Sequence, residues 1–399
     1  MEIAVKKFGL RSFFPGLLPL FVLAHFGHHL LTALPIPLLP MIRSDFALDY
    51  TRSGWVISAF SLSYGIGQLP AGWLTYHIGP RITITVGICG VALAGFIVGL
   101  SQSYVMMISF LALMGVLGGG YHPASPPMIS ESVEPRNCGR ALGFHVIGGS
   151  ASFFLAPLIA VAIAGAWGWR GSFIGLSIPT FLFGMIFYVI LGRQTATRKF
   201  GDWTSRRNGQ ELHARRVRRL VFFIVLSAFT QAVIFSIVSF IPLFLVDHFG
   251  IRKETAGVFT ALIYSSGLWA GPLGGYISDR LGRIPVILGI CLSAGPIIYL
   301  LNLVSYGFGV ISLLLAIGVI IYIRMPVSEA FIVEQTSERN RSTYLGIYYF
   351  CSMESGGALT PVMGYFIDQL GFYQSFTLAG ASVVAVTLIC SIWLWGSRD

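Results

Sequence analysis

Apolar runs of membrane-crossing length follow one another along almost the whole chain, and nothing else in the sequence limits its fold so tightly. A transmembrane helix takes about 20 predominantly apolar residues. Runs of that size lie near residues 14–41, 53–75, 82–101, 104–129, 139–164 and 171–191, then near 219–245, 255–277, 284–302, 306–331, 342–366 and 373–396. The 399 residues are 55% hydrophobic and only 11% are Asp, Glu, Lys or Arg, where soluble domains carry roughly 25% charged residues. No soluble core hides that much apolar side chain. The expected class is an all-α polytopic membrane protein of twelve transmembrane helices, and helices packed in a bilayer tolerate the Pro and Gly inside these runs. The first run follows Lys6, Lys7 and Arg11 as a signal peptide would. It is too long for a cleaved segment and, with its histidines and prolines, too polar, so it reads as the first span.

The longest polar stretch, Gly192 to Arg219, holds Arg193, Arg198, Lys199, Arg206, Arg207, Arg215, Arg216, Arg218 and Arg219 against only Asp202 and Glu211. On a soluble chain such a stretch would point to nucleic acid. Pressed between apolar runs, it marks a loop kept on the cytoplasmic side. With both termini inside, the inner segments also hold Lys6, Lys7, Arg11, Arg81, Arg136, Arg140, Arg280, Arg283, Arg339, Arg341 and Arg398. The outer loops then hold only Arg43, Arg52, Arg170, Arg252 and Lys253. The opposite topology would reverse this bias. A multi-pass protein of the cell membrane with cytoplasmic termini is therefore expected, and the net charge of +10 reflects topology rather than a polyanionic partner. None of the cysteines, at positions 89, 138, 291, 351 and 390, falls in an outer loop, so no disulfide framework is implied.

The halves repeat. An offset of 203 residues carries Phe46 onto Phe249, Gly54 onto Gly257, Gly72 onto Gly275, Gly79 onto Gly282 and Pro123 onto Pro326. It also carries Ser125 onto Ser328, Glu131 onto Glu334, Leu142-Gly143 onto Leu345-Gly346, Gly168 onto Gly371, and Ser172-Phe173 onto Ser375-Phe376. One offset over so long a span is a duplicated six-helix unit. Six spans per half give both copies the same orientation, so the repeats are parallel. The organisation read from the sequence is a bundle over 1–191, a basic linker over 192–218, and a second bundle over 219–399.

Parallel six-helix halves joined by a basic loop resemble the major facilitator superfamily. That family's loop after the second span reads Gly, three residues, Asp, two residues, Gly, then a basic residue. The second half matches it with Gly275, Asp279, Arg280, Gly282 and Arg283. The first half has Gly72, Gly79 and Arg81, with Tyr76 where the family carries Asp. The resemblance implies a cytoplasmic latch between halves at these positions. Ala24-His25-Phe26-Gly27-His28-His29, Leu38-Leu39-Pro40, Tyr121-His122-Pro123-Ala124-Ser125, Gly148-Gly149 and Ala156-Pro157-Leu158 resemble the fosmidomycin-resistance branch. That branch exports a small anionic drug in exchange for protons. Its carboxylates near His29 and at Ala124 are missing from this chain.

No hydrolytic constellation and no Walker-type phosphate loop are present, so neither an enzyme nor a nucleotide-driven pump is expected. The informative residues are ionisable groups within spans, since a charge at a membrane helix centre costs roughly 2.5–3.5 kcal/mol on insertion scales. Arg324 lies in the tenth span ahead of Pro326. In the resembled fold the first, fourth, seventh and tenth spans line the central cavity. A guanidinium there grips a carboxylate or phosphonate with paired hydrogen bonds, or else ties two helices together. Glu354, in the eleventh span, is the candidate proton carrier, or else the ion-pair partner of Arg324 or a neutral acid bonded to backbone. His25, His28 and His29 share one broad helix face. With His122 and Tyr121, the repeat-mate of Arg324, they are candidates for binding substrate, and His25 and His122 also for relaying protons. Structural hydrogen bonding is the alternative for each. A zinc site would need ligands converging from separate helices, and no metal and no cofactor is expected. His145, Gln68 and Asn302 read as packing groups, and Glu131, Glu329 and Glu334 as pairs near inner ends. The function expected is proton-coupled export of small organic anions or drugs by a monomer. The alternatives are an uptake symporter for carboxylates and a non-transporting receptor on the same fold.

Overall fold

A computed structural model of the chain describes residues 17–134, 138–195, 214–336 and 338–395, without the side chains at 139, 140, 193–195, 214, 215, 338–343, 353 and 354. Every element among the described residues is helical. In chain order they are α1 (Leu18–Thr32), α2 (Pro35–Phe46), α3 (Tyr50–Ile78), α4 (Pro80–Gly99), α5 (Tyr104–Gly118), α6 (Tyr121–Ser132) and α7 (Cys138–Thr195). Then come α8 (Ala214–Phe249), α9 (Lys253–Ser265), a 3₁₀ turn at Ser266–Leu268, α10 (Ala270–Leu281), α11 (Arg283–Leu300), α12 (Phe308–Gln335) and α13 (Glu338–Trp395). Helix α7 ends at Thr195 and α8 starts at Ala214, so helix reaches into both ends of the stretch read as linker. Most of that basic stretch lies outside the described residues.

Local chemistry explains the breaks. Pro35 and Pro37 supply no backbone N–H, so the helix that α1 begins is interrupted before α2. Gly119 and Gly120, followed by Pro123, separate α5 from α6. Asp49 caps α3 by accepting from the Arg52 N–H at 2.6 Å, and Ser103 caps α5. Among the described residues, eight stretches are long and apolar enough to cross a membrane, two of them 52 residues long. A straight 52-residue helix would run to about 78 Å, far beyond a hydrocarbon core of about 30 Å. Both are broken, at Gly168 (φ 69°) and Gly371 (φ 74°), in backbone that only glycine adopts readily. The same angles recur at another matched pair, Gly79 (φ 85°) and Gly282 (φ 89°).

The apolar packing is asymmetric. One large core takes residues from both halves, such as Leu34, Leu39 and Val56 with Ile237, Phe244 and Phe376. Two smaller cores each belong to one half: Leu18, Ile84, Tyr121 and Phe187 in the first, and Leu220, Ile287, Phe331 and Leu394 in the second. The halves are therefore joined at the end that carries Arg43, Tyr50, Asp247 and Asp368, the closed end. They have separate cores toward Gly79 and Gly282, the open end.

Polar contacts knit the closed end. Arg43 pairs with Asp247 at 2.5 Å, and the Tyr50 hydroxyl donates to the same carboxylate. Asp368 of the second half accepts from the Tyr50 N–H (2.9 Å), the Thr51 N–H (2.8 Å) and the Thr51 hydroxyl (2.6 Å). It thereby caps the start of α3 from across the interface, where the helix dipole favours a negative group.

Candidate functional site

The first polar cluster begins with α1. His25, His28 and His29 are all buried, and each turns toward a different neighbour. On α7 a side chain at Gly149 would lie 2.6 Å from His25 Cε1, so its absence lets the ring settle against that helix. His25 Nδ1 then donates to the His145 carbonyl at 2.7 Å, and the two imidazoles stack at 4.1 Å. His28 has both ring nitrogens engaged. Its Nδ1 faces the Gly87 carbonyl at 3.3 Å and its Nε2 the Tyr64 hydroxyl at 3.0 Å. His29 Nδ1 lies 3.0 Å from Thr32 Oγ1, whose own proton points to the His29 carbonyl at 3.4 Å. Tyr121 is wholly buried, stacked on His28 at 4.5 Å, with its hydroxyl 3.1 Å from His145 Nε2. His122, half-buried on α6, completes the cluster at 5.3 Å from both His25 and His29, ring centre to ring centre.

Of the sequence candidates, the structure thus brings His25, His28, His29, His122 and Tyr121 together. It adds His145, read from sequence as packing, and Tyr64 and Thr32, which the sequence reading did not single out. The paired glycines at 148 and 149 were the available signal, since consecutive glycines in a span mark a close helix approach. Phe153 lies 4.7 Å from His29 and 5.4 Å from Tyr264, so an aromatic bridge reaches from this cluster into the second half.

The second cluster surrounds Arg324, which is 2% exposed. Its Nη1 donates to the Ser227 carbonyl at 3.1 Å and its Nη2 to Gln231 Oε1, both on α8. The tie between two helices that the sequence allowed as the alternative for Arg324 is therefore present. It does not consume the whole fork, because Nε is buried with no hydrogen-bond partner among the described residues. Glu329, read from sequence as an inner-end pair, faces Tyr349 and lies within the electrostatic reach of Arg324, with Oε1 buried and without a hydrogen-bond partner among the described residues. It follows Arg324 by only five residues, and the sequence reading did not connect the two. Glu354 belongs to α13, and its side chain lies outside the described residues. The adjoining Ser355 donates to the Ala228 carbonyl at 3.2 Å, so this turn of α13 packs against α8 one residue beyond Ser227.

The latch positions lie at the open end. Arg283 pairs with Asp279 at 2.6 Å and Glu334 at 3.0 Å, both in its own half. Arg280 lies over the Tyr276 ring at 4.5 Å. Arg81 lies over Tyr188 at 3.7 Å and donates to its carbonyl, again within one half. Around Gly72 and Gly275 there is open space where a side chain would go.

This arrangement of helices has known counterparts. The hexuronate transporter of Bacillus subtilis (strain 168) is 23% identical over 371 residues, 88% of this chain and 87% of that protein. The fosmidomycin resistance protein of Escherichia coli (strain K12) is 21% identical over 359 residues, 89% of this chain and 87% of that one. A crystal structure of a POT family transporter in complex with a thioalcohol-conjugated peptide superposes with a TM-score of 0.81 at 12% identity, covering 96% of each chain. This is a multi-pass membrane protein, and it belongs to the Major Facilitator Superfamily, a family of transporters rather than enzymes, whose model matches residues 21–361.

Proposed function

We propose that the chain is a secondary transporter of small organic anions, moving them by alternating access and linking their passage to protons. The observation that carries this reading is Arg324: a guanidinium held by α8 through its two terminal nitrogens, while Nε has no hydrogen-bond partner among the described residues. A buried cation with spare donor capacity suits a carboxylate. The Bacillus subtilis relative is named for a hexuronate, which makes sugar acids the first substrate class to try.

The architecture behind the proposal is twelve crossings in two parallel repeats, 1–191 and 219–399, joined by the basic linker 192–218. Splitting each 52-residue run at its glycine and adding α3 and the α9–α10 pair to the eight apolar stretches supports that number. The matched backbone angles at Gly79 and Gly282, and at Gly168 and Gly371, support the duplication. Basic residues concentrate toward the open end and the termini, so that end faces the cytoplasm and this conformation is inward-open.

Proton linkage is assigned to Glu329, within reach of Arg324, together with Glu354, the carrier expected from the sequence. An anion on Arg324 cancels the positive field at the neighbouring acid. Proton and anion then favour each other's binding, which is the linkage of a symporter. Export in exchange for protons is the second reading, favoured by the likeness to the fosmidomycin resistance protein. It requires proton and anion to compete for one site.

Reconstituted protein loaded into liposomes and offered labelled galacturonate tests both readings. Uptake that rises with an inwardly directed proton gradient, and is lost in Arg324→Ala, is the expected result. In Glu329→Gln or Glu354→Gln, exchange of substrate should persist while the response to the gradient disappears. Extrusion driven by an inward proton gradient would establish the export reading. An absence of flux for any sugar acid or related carboxylate would remove the transport proposal for this substrate class.

A further inference from the structure

The histidine cluster is built from first-half helices, whereas Arg324 is held between helices of the second half. Three of its rings, His25, His29 and His122, offer nitrogens that all lie within 4.8 Å of one another. They come from two separate helices, the condition that the sequence alone could not supply. Their ring centres form a nearly regular triangle with sides of 4.9, 5.3 and 5.3 Å. Zinc–imidazole bonds of about 2.0–2.1 Å at tetrahedral angles place ring centres about 5.2 Å apart. The spacing of the rings is therefore already that of a three-histidine site, and only their rotation remains.

The tautomers point the same way. A carbonyl only accepts, so His25 carries its proton on Nδ1 to satisfy the His145 carbonyl, and its Nε2 presents a lone pair. The Thr32 hydroxyl is directed to the His29 carbonyl, so its oxygen accepts from His29 Nδ1–H and leaves His29 Nε2 as a second lone pair. Metal-bound histidines are held in this way, with the far nitrogen donating to a carbonyl or another oxygen. His122 makes no ring hydrogen bond among the described residues and is free to turn its nitrogen inward. His28 is excluded, because Gly87 and Tyr64 occupy both of its nitrogens. The two fixed lone pairs on His25 and His29 suit a cation that takes imidazole ligands.

We propose that His25, His29 and His122 form a binding site for a borderline divalent transition-metal ion, zinc or cobalt(II), with a fourth position left for water or an anionic oxygen. The imidazoles bind as neutral ligands, as three histidines do in open zinc sites. Bound metal would fix the His29 ring, and with it the Phe153–Tyr264 contact to the second half.

The test uses full-length protein purified on a tag free of histidine, stripped with a chelator, then titrated with Zn²⁺ and separately with Co²⁺. One tightly held Zn²⁺ per chain, a raised unfolding temperature on Zn²⁺ addition, and the intense visible bands of four-coordinate Co²⁺ are expected. His25→Gln, His29→Gln and His122→Gln should each abolish the Co²⁺ bands, while His28→Gln keeps them. Thr32→Val, which removes only the oxygen behind His29, should weaken Zn²⁺ by about 10- to 100-fold. Wild-type protein that gains no unfolding temperature with Zn²⁺ and shows no Co²⁺ bands overturns the proposal, however the variants behave. Bands that survive in the His25→Gln/His122→Gln double variant overturn it as well.

Discussion

At the scale of single residues, Arg324 and Gly149 make opposite demands on their surroundings. Arg324 costs insertion energy and is kept by its partners on α8. Arg324→Ala should leave the protein inserted but remove binding of an anionic substrate, measured by titration of purified protein. Arg324→Lys should restore binding only in part, because an ammonium cannot reproduce the planar fork. Gly149 costs nothing until it is filled. Gly149→Ala places a carbon 2.6 Å from the His25 ring, an overpacking that should lower stability by about 1–3 kcal/mol, read as a drop in thermal unfolding temperature. The burial of Arg324 within a span was legible in the sequence, because a charge among apolar residues stands out. Its ties to Ser227 and Gln231 were not, nor was the place of His145 and Tyr64 beside the α1 histidines. Those contacts join separate helices, and residue spacing along one helix carries no information about the rotation of its neighbour. The contact of Glu329 with Tyr349 of α13 was hidden for the same reason.

At the scale of elements, the sequence located the apolar runs but not the breaks inside three of them, between α1 and α2, α5 and α6, and α9 and α10. It did not show that α3 is capped twice, by Asp49 from its own strand of chain and by Asp368 from the opposite half. Removing a cap costs about 0.5–2 kcal/mol. Because the Asp368 cap exists only while the halves are joined at this end, Asp368→Ala should leave the fold intact and shift the protein toward opening there. A cysteine introduced at Ser58, which now donates to the Gly357 carbonyl in the same seam, should react faster with a bulky thiol reagent in the Asp368→Ala background. An unchanged rate would show that the cap does not hold this end shut. The Arg43–Asp247 pair is partly exposed, with side chains at 25% and 30%, so Asp247→Asn should have the smaller effect.

At the scale of the whole molecule, the orientation carries its own test: a cysteine placed at Gly209 should resist an impermeant reagent in intact cells, and strong labelling would invert the topology. The seam between α3 and α13 bears on the cycle itself. It runs from Tyr50 against Asp368, through Gly54 against Pro361 (2.8 Å from a built side-chain carbon), to Ser61 and Leu62 against Gly357. The same face of α3 continues with Ile66, Leu69, Trp73 and Tyr76, exposed by 61%, 66%, 64% and 79%. Continuing that register brings Gly72 opposite Gly346, and both have open space where a side chain would go. Under the alternating access proposed above, this stripe is the face of α3 that meets α13 when the closed end parts, so one apolar seam is traded for another of comparable length. Apolar area exposed to water is what sets heat capacity. The two conformations should therefore have nearly equal heat capacities, and a logarithmic plot of their populations against inverse temperature should be close to a straight line.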